Sequence, residues 1–105
     1  MVERPEASGA SGIIKIMYCV YILNSIKTNK YYIGSCKNIE KRIKQHNTGK
    51  SLYTKSGIPW KIVKIINCQN KTEALKLERF IKKQKSRVFV EKIINNEIIL
   101  NYPPR

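Results

Sequence analysis

The first apolar run is Tyr18–Leu23 (YCVYIL). It is rich in β-formers and bounded by Asn24 and Ser25, so it predicts a strand. Lys27–Lys30 is a polar turn, and Tyr31–Gly34 (YYIG) is a second strand, close enough to pair with the first as a hairpin. Gly34 lets the backbone turn there or approach another group closely. Asn38 predicts a helix start, because its side chain can accept from the first-turn amides and Glu40 suits the positive end. Gly49 stops it, so the helix covers Ile39–Thr48. Only Ile39 and Ile43 are aliphatic on that helix; one face packs and the rest meets solvent or a partner. Lys50–Pro59 is a basic loop holding Tyr53, Lys55 and Gly57. Trp60 opens the run Lys61–Cys68 (KIVKIINC), a third strand expected to be buried mainly through its aliphatics. Asn70 and Thr72 both offer caps for a helix over Glu73–Lys85, and Ser86 for a last helix over Arg87–Asn95. Pro103-Pro104 ends the chain in an extended tail.

The pattern therefore predicts one α+β domain with element order β-β-α-β-α-α, spanning residues 17–95. Residues 1–16 open with MVERPEASGASG, which has no periodicity. They read as a flexible extension or an expression remnant, with Met17 a candidate natural start. Residues 96–105 read as a C-terminal tail. No repeats occur. A chain of 105 residues allows one small core rather than two. At 42% hydrophobic it can fill that core, which argues against full disorder. No apolar run approaches the roughly 18 residues that a membrane span needs, and the N-terminus lacks the apolar stretch of a secretory signal.

Charge changes the picture most. Lys and Arg total 21 against 7 Asp and Glu, a formal charge of +14. A surface that repels itself this strongly is tolerable when a polyanion is the partner, and nucleic acid is the expected one. Lysines spread along the whole chain do not resemble a single membrane-adjacent cluster. The three cysteines (Cys19, Cys36, Cys68) are odd in number and form no CxxC pair, so they read as reduced and structural, in an intracellular setting.

One carboxylate is out of place. On the second helix, stepping about 100° per residue from Ala74 puts Leu77 near 300°, Ile81 near 340° and Glu78 near 40°, inside the apolar arc. Glu73 shares that arc, but the first turn of the helix accounts for it. Glu78 is half of a structural ion pair with Arg or Lys, or lies at the periphery of the packed face, or is a functional acid. Tyr21 and Tyr32 fall on neighbouring strands, where packing alone favours Tyr. Arg42 and His46 lie at i and i+4 on one helix face, a pairing common on surfaces; His46 is a solvated or phosphate-contacting side chain on the plain reading and a functional group on the other. Two phenols, an arginine, a histidine and a misplaced acid are nevertheless the parts that phosphodiester hydrolysis needs: a base for water, a cation for developing charge and a carboxylate for a metal.

In this order and spacing the residues resemble the GIY-YIG endonuclease superfamily, in its small single-domain branch. Cys19-Val20-Tyr21 stands where the first tripeptide belongs, and Tyr32-Ile33-Gly34 matches the second as it stands. Lys37–Arg42 followed by His46-Asn47 is similar to the motif helix, and Ile58-Pro59-Trp60 with Glu73-Ala74-Leu75 leading to Glu78 completes the set. The resemblance spans about residues 18–94. It departs at Cys19, where the family name has Gly; at Ser35, where some members carry Lys; and at the late asparagine, for which Asn95, Asn96 and Asn101 are all candidates.

The resemblance implies a three-stranded antiparallel sheet flanked by helices, and metal-dependent cleavage of nucleic acid; DNA is the expected substrate, and because the sequence shows no zinc finger or evident helix-turn-helix, DNA structure rather than sequence is the expected preference. It implies catalytic roles for Tyr21, Tyr32, Arg42 and Glu78, with His46 as an auxiliary polar group. Glu78 would hold one Mg²⁺ or Mn²⁺, and Tyr21 would be the base while Tyr32 orients water or phosphate. Lys41, Lys44, Lys50 and Lys55 are expected to contact the nucleic acid, and a larger protein partner could supply specificity. Two rivals stand beside this reading: a non-catalytic nucleic-acid-binding module on the same fold, and a basic protein–protein adaptor.

Overall fold

A computed structural model describes residues 18–97. The expectations for residues 1–16, for Met17 and for the end of the C-terminal tail lie outside the described residues. The elements are β1 (Tyr18–Ser25), β2 (Tyr31–Cys36), α1 (Ile39–Asn47), β3 (Trp60–Cys68), α2 (Lys71–Lys83) and α3 (Arg87–Ile94), with a short 3₁₀ turn at Lys55–Gly57. The order is the β-β-α-β-α-α of the sequence pattern. The sheet is antiparallel, with spatial order β2-β1-β3.

Strand β1 lies in the middle and is covered on both faces. This is why YCVYIL is apolar without alternation: Cys19 to Leu23 are all buried. Alternation still sorts the side chains. Val20 and Ile22 face α2 and α3, where they meet Ala74, Leu77, Ile81, Val90 and Ile93. Tyr21 and Leu23 face the other way, toward Trp60, Ile39 and Ile43. Burying each large aliphatic contributes roughly 1.5–3 kcal/mol, so the layer under α2 and α3 is the larger source of stability.

Each helix starts on a side-chain cap. Asn38 accepts from the Lys41 amide at 3.0 Å, Asn70 from Glu73 at 2.9 Å and Ser86 from Phe89 at 3.0 Å. Of the two caps offered to α2, Asn70 is the one used, so α2 starts at Lys71 and ends at Lys83. Strand β1 runs past Leu23 to Ser25, whose hydroxyl donates to the Gly57 carbonyl at 2.6 Å, and β2 runs to Cys36. Trp60 fastens the loop between α1 and β3. Its indole donates to the Thr54 carbonyl at 2.7 Å, and its backbone is held on both sides by the Asn47 amide group, at 2.6 and 3.0 Å.

The expectation that β3 is buried mainly through its aliphatics is corrected. Ile62 and Ile65 stay 38% and 41% exposed, while Val63 and Ile66 are only partly covered. β3 is an edge strand, and Ile62 and Ile65 pair with Leu23 and Tyr21 on the face that α1 covers only in part. All three cysteines are free, as expected. No helix among the described residues is long and apolar enough to cross a membrane.

Candidate active site

The hairpin register pairs Tyr21 with Gly34 and Leu23 with Tyr32, which puts both phenols on the α1 face of the sheet. Their ring centroids are 6.3 Å apart. A Cβ on residue 34 would lie 2.5 Å from the Tyr21 hydroxyl and 2.6 Å from Cζ, so the Tyr21 ring crosses directly over the strand at the one place where no side chain stands. Helix α1 then lays Arg42 and His46 over the same spot, one turn apart.

The result is a buried polar chain. The Tyr21 hydroxyl is 3.0 Å from His46 Nε2, His46 Nδ1 is 2.7 Å from Thr54 Oγ1, and Thr54 donates to the Ser51 carbonyl at 3.4 Å. Tyr21, His46 and Thr54 are each 0% exposed. The Arg42 guanidinium lies close enough to Tyr21 to favour its charged form, and it can only donate. Because the Thr54 hydroxyl donates to Ser51, the arrangement that satisfies every group has Thr54 accepting from Nδ1–H and the phenol donating to Nε2. Arg42 also donates to Gln45 at 2.7 Å, which fixes its other side.

Burial sets the proton affinities. It pushes the Tyr21 phenol up to about 12, against the pull of Arg42 in the opposite direction. Burial, and then the positive charge of Arg42, bring His46 down to about 4. At neutral pH both groups are uncharged. His46 is thus neither solvated nor on the surface, which corrects the expectation that its ring meets solvent or phosphate directly. The cause is Thr54, which the loop folds onto Nδ1.

His46 is the only histidine, so its effect on stability is separable. The unfolded ring protonates near 6.5 and the folded ring near 4, so between those values the unfolded state binds more protons. Stability is full above about pH 6.5 and falls as the pH drops toward 4, by up to about 3 kcal/mol. Thermal melts of the wild type should show this loss, and His46→Asn should flatten it. Equal acid sensitivity in the two proteins would show that His46 is not the titrating group.

Glu78 lies on the other face of the sheet. Ser35 alternates with Tyr32 and Gly34 toward α2, and its hydroxyl donates to Glu78 Oε1 at 2.6 Å. The second oxygen, Oε2, takes the Lys82 ammonium at 2.6 Å. Lys82 then reaches past the free edge of β2, with Nζ 5.9 Å from the Tyr32 ring centroid. Tyr32 and Lys82 share a cleft of about 440 Å³ whose other cations include Lys30, Lys85 and Arg87. Tyr21, Tyr32, Arg42 and His46 thus form one cluster, and Glu78 joins it around the strand edge through Lys82. Lys41, Lys44 and Lys50 line a separate concavity of about 240 Å³, and Lys55 is exposed on the 3₁₀ turn.

Sequence reasoning missed Thr54 and Lys82. Nothing in the basic loop marked Thr54. Lys82 had a readable signal, since it stands four residues after Glu78 on one helix. The ion-pair alternative for Glu78 is what the structure contains, with Lys82 as partner. Among the described residues no group of three or more His, Cys, Asp or Glu side chains comes together.

Comparison with known proteins gives the family of the chain. A family profile described as the GIY-YIG catalytic domain matches residues 17–93. A UPF0213 protein of Clostridium perfringens is 41% identical over 77% of this chain and 91% of its own length. UPF0213 protein YsiG of Lactococcus lactis is 36% identical over 78% and 79%, respectively. A solution NMR structure of a UPF0213 protein from Bacillus halodurans aligns at a TM-score of 0.48, with 31% identity over 75% of this chain and 83% of that one. The profile covers most of the chain and includes both tyrosines, Arg42, His46 and Glu78, so the chain belongs to the GIY-YIG family.

Proposed function

We propose that this protein is a metal-dependent nuclease that hydrolyses phosphodiester bonds, with DNA as its substrate. The observation that carries the reading is the chain Tyr21–His46–Thr54 beside Arg42. A phenol with an acceptor behind it can take a proton from water while passing its own onward, and so never has to stand as a free phenolate. The pKa near 12 is then no obstacle at neutral pH.

The resting site is closed, because Tyr21 has no exposed surface and Arg42 stands beside it. A bound phosphate gives the guanidinium a better partner than a neutral phenol. Drawing Arg42 onto the phosphate opens a path for water to Tyr21. It also offsets the positive charge that holds His46 down, which makes the ring a better acceptor. Water then adds to phosphorus and the bond to the leaving oxygen breaks. The water proton goes to Tyr21, the Tyr21 proton goes to His46 Nε2, and Arg42 holds the added negative charge. Tyr32, at the cleft, orients the phosphate or the water.

The residues fit a single divalent ion held mainly by water. Glu78 is one carboxylate, Ser35 fixes one of its oxygens, and the other already attracts a cation. Glu78 would hold Mg²⁺ or Mn²⁺, which when bound would stabilise charge on the leaving oxygen. Lys41, Lys44, Lys50 and Lys55 supply electrostatic affinity for the strand. An intracellular, nucleic-acid-associated location and a specificity-conferring protein partner belong to the same reading.

The test is plasmid nicking with Mg²⁺ or Mn²⁺, and with EDTA as control. Nicking should require the metal and weaken steeply with salt. Arg42→Ala and Glu78→Gln should each leave less than about a hundredth of the rate, with melting near wild type. Metal-independent nicking, or wild-type rates in either variant, would refute these roles. Complete burial of Tyr21 favours a second reading, a binding module without catalysis. That reading expects salt-sensitive DNA binding and no nicking under any metal.

A further inference from the structure

The Lys82 ammonium sits on the Glu78 oxygen that Ser35 leaves open. Ser35 occupies Oε1 at 2.6 Å, and Lys82 occupies Oε2 at the same distance. The Glu78 side chain is 17% exposed and that of Lys82 is 49% exposed, so the carboxylate is held in place while the ammonium end is free to leave. In that position its ammonium also lies 5.9 Å from the Tyr32 ring centroid, at the cationic cleft.

We infer that Lys82 is a built-in competitor for the cation seat on Glu78, and that it sets the divalent-metal concentration at which the site becomes loaded. This deepens the nuclease reading and rests on it for the meaning of the seat. The physical argument is charge. A divalent ion and an ammonium cannot both lie against one carboxylate oxygen without strong repulsion, which at a few ångströms near a protein surface amounts to a large cost. Binding therefore requires the Lys82 side chain to swing away. In a chain of net charge +14, that local term adds to a field already unfavourable to cations. The consequence is a threshold: without metal, Lys82 neutralises Glu78 and keeps the acid in place. Displaced by metal, the ammonium gives up Glu78, and the cleft beside it already holds Lys30, Lys85 and Arg87.

The experiment measures Mn²⁺ binding by the loss of the free-ion EPR signal at constant ionic strength, with no nucleic acid present. Lys82→Met should tighten Mn²⁺ binding at least about tenfold, equivalent to about 1.4 kcal/mol. Lys83→Met removes the same formal charge one residue along the helix, and should change binding less than about twofold if the effect is local. Adding Glu78→Gln to Lys82→Met should abolish the gain. Unchanged or weaker Mn²⁺ binding in Lys82→Met overturns the inference, as does an equal gain in Lys83→Met, or a gain that survives Glu78→Gln. None of these readouts depends on cleavage. A protein that never nicks DNA would sink the nuclease reading while leaving the competition for Glu78 measurable.

Discussion

Tyr21→Phe is expected to lower the nicking rate about a thousandfold, in the middle of the range that a positioned acid or base contributes. The ring still fills the space over Gly34, so packing is kept. What is lost is one oxygen, and with it both the acceptor for the water proton and the donor to His46 Nε2. His46 is then left with a buried nitrogen that has no partner, which costs about 1–3 kcal/mol of stability. The two effects are separable. DNA binding measured with the metal replaced by Ca²⁺ should stay near wild type, because Arg42 and the lysines are untouched. A rate within about tenfold of wild type would move the base away from Tyr21, and Tyr32, the phenol that lines the cleft, would be next in line.

Gly34→Ala should be the most damaging small substitution in the strand pair. The new methyl would stand 2.5 Å from the Tyr21 hydroxyl and 3.1 Å from Tyr32 Cε2. Tyr21 cannot yield, since its ring is wholly buried and its hydroxyl is tied to His46. Either the hairpin opens or the phenol leaves His46. Overpacking of this kind costs typically about 1–3 kcal/mol, and each kcal/mol lowers Tm by about 4–8 °C in a domain of this size. Calorimetry should show that drop, and nicking should fall with it because both tyrosines move. Ser35→Ala, on the opposite face, is the comparison: it releases Glu78 Oε1 and should leave Tm within a few degrees. A Gly34→Ala protein with wild-type melting and activity would mean that the ring does not cross the strand there.

Most of the frame was legible from residues 18 to 94, because each element announces itself locally. Caps at Asn38, Asn70 and Ser86, the turn before Tyr31 and the apolar run of β1 need no knowledge of distant partners. The candidate site was legible in part, through Glu78 out of phase on α2 and through the spacing of the two tyrosines. Thr54 was not. A threonine in a basic loop carries no periodic signal, and its meaning comes only from Trp60 and Ser25 drawing that loop down onto α1. The exposure of β3 was misjudged for a related reason. KIVKIINC reads as a buried strand wherever it is placed, and only the spatial order β2-β1-β3 makes it an edge.

By itself, the order of residues determined the elements, their sequence along the chain, the strong positive charge and which groups are candidates for the site. These follow from local propensity and composition. Only the tertiary structure decided how those groups behave. It hid Tyr21 and His46 from water, which moved their proton affinities in opposite directions. It also set Glu78 and the tyrosines on opposite faces of one sheet, joined around an open strand edge by Lys82. Burial and charge proximity are properties of distance in space, and residues 35 and 78 or 21 and 46 acquire them only when the chain has folded.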